Sequence, residues 1–228
     1  MLASIVDVFF PKICFSCEKV LEDFETDVCI ACRHDLPVTN FHHHHNNDVF
    51  KLLQGRLNIE QATALFHFYK KGIVQNMMHN LKYRGIEKIS FFAGQWLGAE
   101  LAEIESYKAI DVVIPVPLHR KRLQKRGYNQ VAKFSKEIAK SLKAEYIDDA
   151  LLKKSKTKTQ VFKDSFKRWK DIQGTFHLAE NVKSLEGKHI LLTDDIITTG
   201  ATVETCGDLL LQIKGVKLSI ATMAITTS

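Results

Sequence analysis

The sequence contains no apolar run approaching the roughly 20 residues that a membrane-spanning helix needs. Proline and glycine are scarce, at 4 and 11 of 228 residues, and 45% of the residues are apolar, which excludes a disordered chain. The segment Met1–Phe10 lacks a basic start and carries Asp7 in its apolar stretch, which argues against a secretory signal. We therefore expect a cytoplasmic protein without membrane insertion. The apolar stripe Leu2, Ile5, Val6 and Phe9 predicts a short docking helix.

The chain also lacks a P-loop lysine signature and a G-x-G-x-x-G fingerprint, so the commonest nucleotide-binding motifs are absent. Its formal net charge of +6 favours an anionic partner, which could be a nucleic acid, a polyphosphate or a phosphorylated metabolite. The length is sufficient for one α/β domain with a small accessory module.

Apolar periodicity alternates between strand and helix along most of the chain. The predicted strands are 62–69, 110–116, 189–192 and 217–224, and the predicted helices are 72–82, 86–104, 131–142 and 203–214. This order predicts an α/β fold with a mostly parallel sheet flanked by helices. Residues 153–174 are rich in Lys and Thr with weak periodicity, which indicates a long loop or partly helical excursion.

The most informative string follows the apolar strand at 190–192. Two adjacent acids, Asp194 and Asp195, precede a turn that contains Thr198, Thr199, Gly200, Ala201 and Thr202. In open parallel sheets, ligands collect at the carboxyl ends of strands, where these acids are expected. The amides and hydroxyls of the turn, at the start of a helix, suit a phosphate, and the carboxylates suit sugar hydroxyls. An ordinary strand–turn–helix junction would account for an Asp-Asp pair alone, but the full string predicts a ribose 5-phosphate site.

This string resembles the phosphoribosyl pyrophosphate (PRPP) motif of type I phosphoribosyltransferases. The resemblance implies that Asp194 and Asp195 hold the ribose 2- and 3-hydroxyls while the 198–202 turn wraps the 5-phosphate. It also implies a Mg²⁺ ion that bridges pyrophosphate and ribose oxygens.

Basic residues are concentrated after the strand at 110–116. Five of the eight residues in 119–126 are Lys or Arg, and we predict a basic loop there. Its arginines can bind phosphate oxygens bidentately. The candidate ligands for a pyrophosphate or nucleic acid are Arg120, Arg122, Arg126 and Lys82. The alternatives are a solvated loop and, for Lys82, a helix end that favours positive charge. The aromatics and cations of 153–170 fit a single-stranded nucleic-acid surface or a mobile flap equally well.

Several stretches together resemble the ComF family of bacterial competence-associated proteins of phosphoribosyltransferase type. These stretches are the N-terminal cysteines, Lys82-Tyr83-x-Gly85, Pro115-x-Pro117-Leu118, Arg126-Gly127-Tyr128-Asn129-Gln130 and Thr157-x-Thr159-Gln160. They occur in the order expected for the family and cover nearly the whole chain.

Four of the five cysteines form two Cys-x-x-Cys pairs, Cys14 with Cys17 and Cys29 with Cys32. Two such pairs can supply the four thiolates of a tetrahedral Zn²⁺ site, and disulfides are disfavoured in a reducing cytosol. We predict a structural zinc ribbon, with the fifth cysteine, Cys206, as a buried apolar residue. The run His42–His45 suggests an exposed polar loop or a weak metal site.

These patterns predict three parts: 1–40 with the docking helix and zinc ribbon, a linker at 41–60, and a phosphoribosyltransferase-like domain at 61–228. The preferred function is a PRPP-binding protein or phosphoribosyltransferase that acts on an unidentified nitrogen acceptor. A second hypothesis is a DNA-uptake accessory that binds single-stranded DNA or DNA-uptake proteins and uses the pocket as a ligand sensor. A third is a scaffold in which zinc and pocket serve assembly.

Overall fold

A computed structural model describes residues 11–153, 175–180 and 182–226. The predicted docking helix at the start of the chain lies outside the described residues. So does the predicted excursion at 153–174, except for its first residue.

The core of the protein is a five-stranded sheet in which every neighbouring pair of strands is parallel. Its strands are β1 (Gln61–Phe68), β2 (Val112–Pro115), β3 (Glu145–Tyr146), β6 (His189–Ile197) and β7 (Lys217–Thr226), in the order β1-β7-β6-β2-β3. A separate antiparallel hairpin pairs β4 (Leu151–Lys153) with β5 (Phe176–Leu178). The predicted α/β fold with a mostly parallel sheet is confirmed.

Helices cover both faces of the sheet. They are α1 (Ile30–His34), α2 (Asp48–Leu53), α3 (Ile73–Tyr83), α4 (Lys88–Ala102), α5 (Glu105–Lys108), α6 (Arg120–Arg126), α7 (Ala132–Leu142) and α8 (Ala201–Leu211). Residues of α3, α4 and α7 share one apolar cluster with the cysteine module, whereas α2 and α8 contribute to a second cluster. Strand β6 divides between them, because Leu191 belongs to the first cluster and Ile190 and Leu192 belong to the second.

Helices α4 and α7 pack so closely that a side chain would not fit between them. A Cβ atom on Gly94 of α4 would lie 2.7 Å from the backbone of Phe134 in α7. The predicted apolar stripe of α7 is buried at this contact, where Phe134 and Ile138 are fully enclosed. The contact holds α7 beneath β2 and β3. It therefore also fixes the position at which the segment between α6 and α7 ends.

The basic segment 119–126, predicted as a loop, is instead the helix α6. It has no buried residue, so it lacks the apolar stripe on which a helix prediction depends. Its ends are nevertheless well defined, because the His119 side chain accepts a hydrogen bond from the Lys121 amide and Gly127 closes the helix in the left-handed region. Lys, Arg, Gln and Leu between these caps all favour the helix.

Strand β6 is longer than predicted. The sequence predicted that it ends at Leu192, with the two acids between the end of the strand and the turn. Its parallel pairing with β7 continues to Ile197, opposite Ile225, so Asp194 and Asp195 belong to the strand itself.

Residues 41–60, predicted as a linker, are packed against β1. The buried Asn47 side chain caps α2 and donates to the carbonyl oxygens of Phe41, His44 and Ala62. Within the histidine run, predicted as an exposed loop, His42 is buried with its Nε2 atom 3.3 Å from Glu100. Burial lowers the pKa of His42 to about 4, so this imidazole is neutral at physiological pH.

Candidate functional site

The carboxyl ends of β2 and β6 form a crevice at the point where the chain changes face. The helix α7 that follows β2 packs on one face of the sheet, and the helix α8 that follows β6 packs on the other. Ligands of open α/β sheets bind at such a switch point. Strand β2 ends at Pro115, opposite Thr193, while β6 continues beside β7. The crevice therefore begins directly beside Asp194.

The two acids differ in their surroundings. The carboxylate of Asp195 forms an ion pair with Lys82, with an Nζ–Oδ2 distance of 2.7 Å, which joins β6 to the end of α3. Asp194 accepts from the Asp195 amide at 2.8 Å. Burial, together with the adjacent negative charge of Asp195, raises the pKa of Asp194 to about 7. A carboxyl group with so high a pKa at the mouth of a crevice is typical of a site that receives a cation or hydroxyl donors.

Because the pKa of Asp194 is raised, we expect the free energy of unfolding to decrease as the pH rises. The folded state binds this proton more tightly than the unfolded chain does, so its stabilising contribution is complete below about pH 4 and is lost as the pH rises through 7. Because one pKa unit corresponds to about 1.4 kcal/mol, we expect a loss of roughly 2 kcal/mol or more. Urea unfolding of the wild type and of Asp194→Asn at several pH values will measure it.

Other groups titrate in both proteins. The informative quantity is therefore the difference between the free energies of unfolding of the wild type and Asp194→Asn at each pH. Asp194→Asn should be the more stable protein at pH 8, and its advantage should shrink at pH 5. Parallel curves would contradict the proposed burial of this charge. Asp148→Asn, which changes an exposed acid after β3, should leave the slope unchanged.

The predicted phosphate turn forms a small concave cradle at the start of α8. The cradle, of about 50 Å³, is lined by Asp194 and by the residues from Ile196 to Val203. Gly200 has φ +79°, in the left-handed region, and a Cβ there would lie 2.9 Å from Leu53 of α2. Thr198 and Thr199 are exposed, so their hydroxyls are accessible. The turn is therefore compact on its inner side and open on its outer side.

Arg56 holds the back of this turn and was not identified from the sequence. Its Nη1 atom donates to the carbonyl oxygens of Thr199 at 2.8 Å and Leu52 at 3.2 Å, and its Nη2 atom donates to the carboxylate of Glu204. No local motif marks it, because its partners in the site, Thr199 and Glu204, lie more than 140 residues away in sequence.

A second cavity, of about 440 Å³, lies beside the acids and is strongly basic. Its cations are Lys82, Arg122, Lys125 and Arg126, and its rings are Tyr83 and Tyr128. Lys82 lines this cavity and also pairs with Asp195, so it connects the cavity to the acid pair. Arg120, at the start of α6, is not among the lining residues. The structure therefore brings together three of the four basic residues predicted from the sequence.

Lys153, the first cation of the predicted 153–170 segment, adds another positive charge near the site. It ends strand β4, and its Nζ atom lies 4.3 Å from the ring centroid of Phe176. Burial and the nearby charge of Arg122 lower its pKa, while Asp194 acts in the opposite direction. The hairpin thus places a partly desolvated lysine near Asp194 of the acid pair and near Arg122 of the basic cavity.

The four N-terminal cysteines converge as predicted. The thiols of Cys14, Cys17, Cys29 and Cys32 all lie within 4.8 Å of one another. Burial raises the pKa of the Cys14 thiol, but hydrogen bonds from amides, that of Cys29 first, outweigh it and lower the pKa to about 7. Such a set of sulfur atoms suits a closed tetrahedral metal site. Cys206 is fully buried in α8, as predicted.

The cysteine module is fastened to the helix that ends at the basic cavity. The Asn80 side chain of α3 donates to the Phe15 carbonyl oxygen at 2.9 Å, and the Ser16 hydroxyl donates to the Ile73 carbonyl oxygen at 3.3 Å. Arg84, just beyond α3, pairs with Glu18. The module therefore supports the helix from which Lys82 projects.

None of the helices in the described part of the chain is both long and apolar enough to cross a membrane.

The chain is similar to several known proteins. Residues 130–226 match the model of the phosphoribosyl transferase domain. The chain is 27% identical over 139 residues to the DNA utilization protein YhgH of Escherichia coli O157:H7, covering 60% of each chain. It is 24% identical over 223 residues to the competence protein ComFC of Bacillus subtilis, covering 95% of this chain and 85% of that one. A solved adenine phosphoribosyltransferase aligns at 18% identity over 65% of this chain and 75% of that one, with a TM-score of 0.39.

The domain match identifies a phosphoribosyltransferase-type domain at residues 130–226, which contains β6 on one side of the crevice. The match to YhgH spans about 60% of that relative's length. The domain match and the competence-protein relatives support the resemblance to the ComF family.

Proposed function

We propose that the chain binds PRPP in the crevice, with its ribose 5-phosphate on the β6 side and its pyrophosphate on the α6 side. The observation that carries this proposal is the position of Lys82, which pairs with Asp195 and also lines the basic cavity. One ligand with two anionic ends separated by a sugar would contact the cradle, the acids and the cavity together.

The crevice offers suitable binding groups for both ends of PRPP. Asp194 and Asp195 would accept hydrogen bonds from the ribose hydroxyls. The amides of the 198–202 turn and the positive end of α8 would bind the 5-phosphate. Lys82, Arg122 and Arg126 would bind the pyrophosphate, to which Arg can donate two parallel hydrogen bonds. Arg120 remains a candidate for a more distal part of the ligand.

The acid pair also fits a Mg²⁺ ion. Mg²⁺ prefers carboxylate and phosphate oxygens, and burial of Asp194, together with the adjacent charge of Asp195, raises its pKa and disfavours its charged form in the absence of a cation. Asp194 and Asp195 are the residues that would hold the ion together with ligand oxygens. Bound there, it would neutralise the charge that develops on the departing pyrophosphate.

In an enzymatic reaction, the lone pair of an acceptor nitrogen would form a bond to the sugar C1. The bond from C1 to the pyrophosphate oxygen would break, pyrophosphate would leave with that electron pair, and the acceptor nitrogen would lose a proton. Lys82, Arg122 and Arg126 would stabilise the leaving group as its charge increases. The acceptor belongs to the class of nitrogen nucleophiles, and the names of the relatives suggest a setting in DNA utilization and competence.

Calorimetric titration of PRPP with MgCl₂ into the zinc-loaded protein tests this proposal. We expect saturable binding that weakens in the absence of MgCl₂. Absence of binding under both conditions would refute the PRPP site. Binding would justify a screen of amines and nucleobases, with release of pyrophosphate followed by phosphorus NMR.

We further propose that the four cysteines bind a structural Zn²⁺ ion. Four thiolates leave no open coordination position, so the ion would stabilise the module and take no part in the chemistry.

A second function, binding of single-stranded DNA, is favoured by one feature of the basic cavity. Tyr83 is 68% exposed, and the guanidinium of Arg126 lies 5.6 Å from its ring centroid. Exposed rings among cations are typical of surfaces on which bases stack. This function would fit the name of the DNA utilization relatives, and it could include contacts with DNA-uptake proteins.

Fluorescence anisotropy with a labelled oligo-dT distinguishes this function from PRPP binding. We expect salt-sensitive binding that survives Asp194→Asn with Asp195→Asn and weakens roughly tenfold in Tyr83→Ala. Arg122→Ala with Arg126→Ala should reduce the salt slope by about 1.4, because each phosphate contact to a single strand contributes about 0.7. A chain that fails to bind the oligonucleotide at low salt would exclude the DNA function and leave the PRPP proposal intact.

A further inference from the structure

We propose that Arg56 is a positioning residue for the phosphate turn, an inference that rests on the proposed PRPP site. Arg56 lies just after α2 and reaches the turn from behind. Its side chain is 32% exposed, and that of its partner Glu204 is 12% exposed, so the pair is largely sheltered from solvent. Among the described residues, Arg56 donates to the Thr199 carbonyl oxygen and to the Glu204 carboxylate, so it would act through the backbone of the turn and through the charge of Glu204.

The first consequence concerns the direction of an amide. The Thr199 carbonyl and the Gly200 N–H belong to the same planar trans peptide, so they point in opposite directions. Because Arg56 holds the Thr199 carbonyl at 2.8 Å on the back of the turn, the Gly200 N–H is directed away from Arg56. Gly200 lines the cradle, so this orientation offers its N–H to an anion bound there.

The second consequence concerns charge. Glu204 lies in the first turn of α8, where the partial positive charge of the helix end would attract a phosphate. An unpaired carboxylate at this position would repel that phosphate. Arg56 forms an ion pair with Glu204, which neutralises this repulsion while leaving the helix amides free.

The third consequence concerns the shape of the turn. Leu53 of α2 lies against Gly200, where a Cβ atom would approach to 2.9 Å. Arg56 also donates to the Leu52 carbonyl oxygen, so its guanidinium joins α2 to the turn. Helix α2 and Arg56 therefore pack against one side of the turn and hold it in one conformation before a ligand binds. Such preorganisation lowers the conformational entropy that is lost on binding.

Separate titrations of ribose 5-phosphate and inorganic pyrophosphate test the role of Arg56. We expect Arg56→Ala to weaken ribose 5-phosphate roughly tenfold while leaving pyrophosphate, bound by the α6 side, nearly unchanged. Arg56→Lys should be intermediate, because a lysine cannot bridge Glu204 and Thr199 with a planar fork. Arg56→Ala with Glu204→Gln should recover part of the lost affinity, since the repulsive carboxylate is then absent.

Nitrogen–proton NMR supplies a readout that general destabilisation would not reproduce. In the wild type, ribose 5-phosphate should shift the Gly200 amide resonance, and in Arg56→Ala this shift should decrease even at saturation. Lys51→Ala is the matched control, because Lys51 lies on α2, just before Arg56, and pairs with Asp48 at 3.7 Å. It should leave both affinities unchanged.

The outcomes separate the two proposals. Wild-type protein that binds neither ribose 5-phosphate nor PRPP would overturn both the PRPP site and the role of Arg56. Wild-type binding that persists at full strength in folded Arg56→Ala would overturn the role of Arg56 alone. An equal loss of ribose 5-phosphate and pyrophosphate would also overturn it, because it would indicate general damage to the site. If Arg56→Ala does not fold, Arg56→Lys carries the same comparison.

Discussion

Asp194→Asn combined with Asp195→Asn should reduce PRPP affinity by at least about 100-fold and leave the fold intact. Hydrogen bonds to charged groups contribute about 1.5–3 kcal/mol each, and the two carboxylates are proposed to accept from two ribose hydroxyls. The variant also removes the partner of Lys82. The fold should survive because the substitution removes a carboxylate with a raised pKa, whose charged form opposes folding. Calorimetry with PRPP and MgCl₂ and thermal unfolding measure the two effects.

The chain contains a matched control for this variant. Asp148 and Asp149 form a second pair of adjacent acids that follows a strand of the same sheet, and both are exposed. Asp148→Asn with Asp149→Asn changes the net charge equally, so it accounts for any general electrostatic effect on a polyanionic ligand. Unchanged PRPP affinity in the folded Asp194/Asp195 variant would refute the assignment of the acids. An equal loss in both variants would reduce their role to one of net charge.

The sheet was predictable because its strands are buried and their apolar residues are nearly continuous. Four of its five strands were predicted close to their observed positions, and the omitted β3 contains only two residues. Strand β6 was predicted too short because Thr193, Asp194 and Asp195 interrupt its apolar run. Pairing with β7 holds these residues in the strand, and such pairing between distant segments has no local sequence signal.

The site was predictable where one short string carries the chemistry and unpredictable where distant segments meet. The acids and the 198–202 turn form one string, so their proximity follows from the chain itself. Arg56, by contrast, lies in a stretch interpreted as a linker, and its role depends on how α2 packs against Gly200. Helix α6 was missed because it buries no residue. An exposed helix depends on caps and intrinsic propensity, which are weaker signals than an apolar stripe.

Removal of the proposed Zn²⁺ ion should unfold the cysteine module. Structural zinc sites contribute about 10–16 kcal/mol of binding free energy to small modules, and Phe15, Val28 and Leu36 are the buried apolar residues that the described part of the module has besides its cysteines. Cys29→Ser should have the same effect, because Cys29 contributes a thiol to the cluster and also caps α1. We expect metal analysis to find zinc in the wild type and little in the variant, with a lower melting temperature in the variant.

Cys206→Ala is the control for this experiment, since it removes the one cysteine outside the cluster. It should retain the zinc content of the wild type even if it costs some stability in the core. A wild-type protein purified without metal, or a Cys29→Ser variant with unchanged zinc content, would contradict the zinc proposal.

Loss of zinc should also affect one half of the PRPP site more than the other. The cysteine module contacts α3 through the Asn80–Phe15 and Ser16–Ile73 hydrogen bonds, and α3 ends at Lys82. The 198–202 turn depends instead on β6, α8 and α2. Zinc-depleted protein should therefore lose affinity for pyrophosphate while it keeps affinity for ribose 5-phosphate, and hydrogen exchange should increase in α3 before it increases in β6. An equal loss of both ligands would mean that zinc stabilises the whole domain and not α3 in particular.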